Sequence, residues 1–218
     1  MWLLLSFLSA FWFKTEMPRF AIRINQQIYQ AANSINQLNL TEQQFIALSS
    51  LKPQQTRWAN LFFLLFPLIM YCSENPIMGG IFILLCFLSL LDICYYLTDT
   101  RYIGLIFLLV LWESVNHFHN QTLLFTSLFC LFIALFSFLV FKKETFGFGD
   151  MLLLLALSPL FNIEKMLLLI LTACLLGIFY YLAYWWIKKQ KLAKLAFIPF
   201  ISLAVGIVVT LESRGINY

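Results

Sequence analysis

Apolar residues gather into long stretches of this chain, and polar residues fall between those stretches rather than alternating within them. The stretches are Trp2–Phe13, Trp58–Cys72, Ile77–Leu97, Tyr102–Trp112, Leu123–Phe141, Met151–Phe161, Met166–Ile187 and Leu195–Leu211. A backbone placed in hydrocarbon must satisfy its own hydrogen bonds, so each stretch predicts a helix that crosses a membrane. Several are shorter than the roughly 20 residues a full crossing takes. Tight polar connections at Ser73-Glu74-Asn75-Pro76 and Asn162-Ile163-Glu164-Lys165 predict helical hairpins. The expected fold is all-α, a polytopic transmembrane bundle of about eight spans.

One sizeable polar piece interrupts the pattern, from about Lys14 to Arg57. Ile24, Ile28, Ala31, Ile35 and Leu38 recur there at helical spacing, with Gln and Asn on the other faces. Thr41-Glu42-Gln43-Gln44 has the form of a capping box opening a second helix through Phe45, Leu48 and Leu51, ended by Pro53. These two amphipathic helices are expected to lie on the membrane or on the bundle. The chain thus divides into residues 1–57, a first span with its loop, and residues 58–218, a membrane-embedded domain. The first span has no basic leading region and no small-x-small cleavage site, which predicts a retained span rather than a removable signal.

Composition agrees with this reading. Of 218 residues, 62% are hydrophobic and 11% charged, whereas a soluble domain carries about a quarter charged residues. A globule of this size cannot bury that excess, so lipid is the expected solvent for much of the surface. With the N-terminus outside, every Lys and Arg except Lys165 and Arg214 falls on the cytoplasmic side, the asymmetry of the positive-inside rule. The net charge of +4 is therefore a mark of topology, and no nucleic-acid partner is expected. The five cysteines are scattered singly without a CxxC, so neither a zinc site nor a disulfide framework is predicted. His117 and His119 form H-x-H near Glu113, a pattern more often solvated than metal-binding. No metal or other cofactor is expected.

Two acids stand out by position. Asp92 lies near the end of the third apolar stretch, and Asp150 closes Phe146-Gly147-Phe148-Gly149-Asp150 just before the sixth. The topology puts both carboxyls at one depth near the cytoplasmic face. Two carboxyls held close resist double ionisation, so one stays protonated while the other serves as a base. Such a pair can activate a water and protonate a peptide carbonyl oxygen. Gly147 and Gly149 would permit positive φ and the close approach of another backbone. The same residues also fit helix capping, interfacial anchoring or ion transport, and their chemistry alone does not choose among these.

Lys143-Glu144-Thr145-Phe146-Gly147-Phe148-Gly149-Asp150 resembles the (R/K)-E-x-M-G-x-G-D signature of type IV prepilin peptidases, which are GxGD aspartyl proteases of the bacterial inner membrane. Asp92 to Thr100 occupies the place of that family's D-x-x-x-x-x-(I/L)-P-(D/N) segment, and Ile198-Pro199-Phe200 matches a later element. The resemblance runs from about Ile77 to Val209. It implies an aspartic endopeptidase with Asp92 and Asp150 as its catalytic pair, supported by Glu144, Gly147 and Gly149. The implied substrate is a prepilin or pseudopilin precursor: a short basic leader, a glycine before the scissile bond and an apolar helix after it.

The departures are specific. Leu152 stands where the family has Lys, and Thr98-Asp99-Thr100 replaces I-P-(D/N), which makes Asp99 an alternative to Asp92. The loop at 14–57 contains no cysteine, whereas most members carry paired CxxC motifs associated with N-methylation, so the resemblance implies the peptidase of a short form without that domain. A catalytically degenerate component of pilus or secretion assembly, or a small cation-coupled transporter, are the competing readings.

Overall fold

In the computed structural model, residues 2–35, 41–54, 56–73, 75–115, 117–141, 147–190 and 194–213 are described. Helices α1 (Trp2–Ile35), α2 (Glu42–Leu48), α3 (Phe62–Cys72), α4 (Pro76–Tyr95), α5 (Thr100–Glu113), α6 (Asn120–Phe141), α7 (Phe148–Leu157), α8 (Ile163–Lys188) and α9 (Ile198–Ser213) account for most of these residues. Single 3₁₀ turns cover Arg57–Leu61 and Ser158–Leu160, and no strand occurs among the described residues. The chain forms two units, Met1–Ser73 and Glu74–Tyr218. The first unit includes α3, which packs along α1.

In the first unit the apolar start of the chain and the amphipathic segment after it are one helix. α1 runs for 34 residues with Pro18 inside it. At 1.5 Å per residue that is about 50 Å, against a hydrocarbon core of about 30 Å, so a helix buried from its N-terminus must leave the membrane before it ends. Phe13 meets Phe66 of α3 edge-on at 5.9 Å, and Phe66 stacks on Phe62 at 4.7 Å. Ala10, Met17, Phe20 and Ala21 are buried alongside.

The capping box at Thr41 is formed, with Gln44 N–H donating to the Thr41 hydroxyl and Thr41 N–H donating to Gln44 Oε1. α2 stops at Leu48, short of the Leu51 expected, because Ser49 turns extended and its hydroxyl donates to Asn25 Oδ1 at 2.7 Å. The buried Asn25 amide in turn donates to Leu51 O at 2.8 Å. These bonds and the Tyr29–Phe45 ring contact fasten α2 to the polar side of α1. Ile28 and Ile35, on the predicted apolar face, stay exposed.

The second unit is a ring of six helices. Each packs on the next in the order α4, α5, α7, α6, α8, α9, and α9 closes on α4. α4 is the most enclosed, burying Ile81, Leu85, Leu88 and Leu91 completely against Ile106 of α5 and Ile201 and Val205 of α9 among others. α4, α6 and α8 are each long and apolar enough to cross a membrane, and together with the apolar surface they mark a membrane protein. α7 has only 10 residues and α5 only 14, roughly 15 and 21 Å of helix.

Side-chain caps define the two ends of this ring. At one end Asn75 caps α4, its Oδ1 accepting from Ile77 N–H, while its amide donates to both Glu113 carboxylate oxygens at 2.7 and 2.9 Å. Asn162 caps α8 there, and Lys165 pairs with Glu212. The opposite end holds the C-terminus of α4 and the N-termini of α5, α7 and α9, and both sequence-predicted acids lie there.

Candidate active site

Asp92 sits three residues before the end of α4, with its side chain turned into the ring and nearly fully buried. Its Oδ2 accepts the Ile198 N–H at 3.1 Å, and the Phe197 N–H faces the same carboxylate. These donors open α9, where the first turn of a helix has no partners of its own. Asp92 therefore caps α9 from another helix, with the α9 dipole favouring its negative charge. Pro199, in the second position of α9, marks that helix start in the sequence. One turn after Asp92 the chain leaves α4 through Tyr96, whose left-handed φ of 52° closes the helix with Tyr96 N–H on Asp92 O.

Asp150 reaches the same place from the first turn of α7, three residues after the cap residue Gly147. Its carboxyl is half-buried and within electrostatic reach of Asp92. The ring thus brings together two acids 58 positions apart in the sequence, each at the start of a helix that is not the other's.

The two glycines act by leaving space rather than by taking positive φ. Gly147 has φ −63°, and Gly149 is helical within α7. A Cβ on Gly147 would lie 2.8 Å from Asp150 Oδ2, so this glycine lets the carboxyl fold back over the helix start. A Cβ on Gly149 would meet Thr98 Oγ1 at 2.5 Å and Thr98 Cβ at 2.7 Å. Gly149 is where α7 presses against the turn between α4 and α5. The close neighbour at Gly149 is thus a side chain of the same protein. Thr98, prominent in sequence only as a departure from the family pattern, is the residue that sequence reasoning missed.

Asp99 has a different occupation. It is the N-cap of α5, its Oδ1 accepting the Arg101 N–H at 3.0 Å, and it is buried in that role. Glu144 lies outside the described residues. Leu152 is half-buried on α7, two residues beyond Asp150. His117 and His119 are at the far end of the ring, where they line a cavity of about 530 Å³ with Glu113, Lys165 and Glu212. From Pro76 to Asp92 is 16 residues of α4, about 24 Å, so the histidines are remote from the acid pair.

A helical membrane bundle with two carboxyls within electrostatic reach of each other at one end, each set at a helix start, is the class that fold and site define. The model of the type IV leader peptidase family matches residues 79–182, a segment that contains α5 to α7 and most of α4 and α8, with both acids and both glycines. That segment is similar to the type IV leader peptidase family. α9, whose N-terminus holds Asp92, lies beyond the matched residues. No curated protein and no solved structure matches the chain.

Proposed function

We propose that the protein is an aspartic endopeptidase of the bacterial inner membrane that removes the leader from prepilin-like or pseudopilin precursors at the cytoplasmic face. The observation that carries this reading is the approach of the Asp92 and Asp150 carboxyls at the end of the ring where α4 ends and α7 begins. The pair shares one proton. Its ionised member takes a proton from a bound water, and the water oxygen attacks the peptide carbonyl carbon. The protonated member gives its proton to the carbonyl oxygen, and collapse of the tetrahedral species releases the amine as it gains a proton. The Ile198 N–H holds Asp92 in place throughout.

Helix length supports water access. α5 and α7 start at this end and are too short to fill a core of about 30 Å, so the bilayer must thin or admit water beside them. The substrate's apolar helix would lie in the membrane beside the ring and present the junction with its basic leader to that recess. The intact geometry around Asp92, despite the altered Thr98-Asp99-Thr100 segment, favours a working enzyme over a degenerate assembly component.

Co-expression in bacterial membranes with a single-span substrate bearing a basic leader, a glycine junction and an apolar helix tests the proposal. The expected result is a shift to the shortened product that disappears in Asp92→Asn and in Asp150→Asn. Cleavage surviving either substitution overturns the pair, and an uncleaved substrate with the unaltered protein favours the degenerate reading.

A further inference from the structure

The bond from Ile198 N–H to Asp92 is one rung of a polar seam between α4 and α9. Ser89 lies three residues before Asp92 on α4, and Ser202 lies four residues after Ile198 on α9, so each serine shares a helix face with the group that makes the first rung. The two hydroxyl oxygens are 2.8 Å apart, a hydrogen bond across 113 positions of sequence. The Ser89 oxygen is also 2.7 Å from Leu85 O, and the Ser202 oxygen is 2.9 Å from Ile198 O. Whichever hydroxyl donates across, the other closes on a carbonyl of its own helix, so neither hydrogen is left over.

The rungs run antiparallel, as the two helices do. Further along, a Cβ on Gly206 would come within 3.9 Å of the Phe82 ring, so the same register continues. Leu85 and Leu88 of α4 and Ile201 and Val205 of α9 are fully buried in this stretch. Apolar side chains in a membrane pack nearly as well one step along, because lipid is as apolar as they are, whereas a hydroxyl pair has one register. The serine pair therefore sets where α9 stands along α4. Ile198 belongs to both rungs, since its N–H meets Asp92 and its carbonyl lies beside the Ser202 hydroxyl. An axial slip of α9 would disturb the serine pair and the Asp92 contact together.

Building on the peptidase reading, we propose that Ser89 and Ser202 are positioning residues for catalysis: their hydrogen bond fixes the register of α9 on α4 and thereby keeps the Ile198 N–H on the Asp92 carboxylate. They act through Ile198 and not on the substrate.

The test uses the full chain in lipid vesicles with a single-span substrate bearing a basic leader, a glycine junction and an apolar helix. Initial rates over a range of substrate densities give kcat and KM separately. Ser89→Ala and Ser202→Ala should each lower kcat about tenfold, because a small misplacement of a catalytic group costs that order of rate. KM and the amount of folded protein should not change. The double variant should be no slower than either single one, since both remove the same bond. Ser202→Thr keeps the hydroxyl and should cleave like the unaltered protein. A kcat within about twofold of the unaltered value in both Ala variants overturns the proposal. So do losses that multiply in the double variant, a Thr variant as slow as the Ala one, or a loss of folded protein that accounts for the lost rate. Each of these results leaves the peptidase reading intact. Absence of any cleavage by the unaltered protein overturns the peptidase reading, and this role with it.

Discussion

The carboxylate of Asp92 accepts a hydrogen bond from the backbone N–H of Ile198 at 3.1 Å, across 106 positions of sequence. One acid thereby completes the start of α9 and is oriented by it. The alignment is electrostatic as well as geometric, because the N-terminal end of a helix carries a partial positive charge. It also separates the neighbouring candidate acids, since Asp99 spends its carboxylate on its own helix, at Arg101 N–H.

That division of labour predicts opposite outcomes at positions 92 and 99. Asp92→Asn should lower cleavage by roughly 10²–10⁴-fold, the usual worth of a general acid–base group. Asp99→Asn should leave cleavage within a few-fold, because Asn caps a helix about as well as Asp. Asp99→Ala should cost about 1 kcal/mol of stability through the lost cap. Rates of product formation in membranes, with protein levels measured alongside, check all three, and a reversed order would transfer the role to Asp99.

Gly149→Ala should damage the site by displacement. The added methyl would sit 2.5 Å from Thr98 Oγ1 and 2.7 Å from Thr98 Cβ, so α7 or the α4–α5 turn must move. Overpacking of this kind costs about 1–3 kcal/mol. Thr98→Gly removes the obstructing atoms, and the double variant should recover cleavage lost in Gly149→Ala alone. Failure of that rescue would mean that the glycine serves something other than contact with Thr98.

Gly147→Ala should act on Asp150 directly. Its Cβ would lie 2.8 Å from Asp150 Oδ2, and the carboxyl must rotate away. The expected result is a fall in the rate of cleavage with little change in the amount of folded protein, because the displaced atom is the end of a side chain. A loss of protein matching the loss of activity would contradict this.

At the far end of the ring, Lys165→Ala removes the ion pair with Glu212. Both side chains are partly exposed, at 32% and 50%, so the change in stability should stay below about 1 kcal/mol. Cleavage should be unaltered, which makes this variant a control for expression and insertion.

In the first unit, Asn25→Ala should free the segment after α2. It removes the amide that donates to Leu51 O and the acceptor for the Ser49 hydroxyl, and unsatisfied groups of this kind cost about 1–3 kcal/mol each when buried. Faster proteolysis between residues 41 and 54 in opened membranes, where both faces are accessible, is the expected readout.

Much of this architecture was legible in the order of residues. Apolar stretches identified the helices because a helix in lipid must be apolar along its length, and Thr41 to Gln44 announced a cap that is formed. The Gly147–Asp150 signature and the end of the third stretch pointed to the two acids now found together. Helix continuity was not legible: α1 runs unbroken through the change from apolar to polar at Lys14, since polarity marks a change of solvent and not of backbone. Nor was the reason for the glycines, because steric room depends on Thr98, which belongs to a different turn. The different surroundings of Asp92 and Asp99 also needed three dimensions. Seven residues apart, both end apolar or polar runs in plausible ways, and only the packing of α9 on α4 brings a helix start to one of them. Sequence by itself determined what each segment is, through the solvent it requires. Tertiary structure decided which carboxyl meets the start of α9, because that depends on contacts between residues that neighbour one another only in the folded ring.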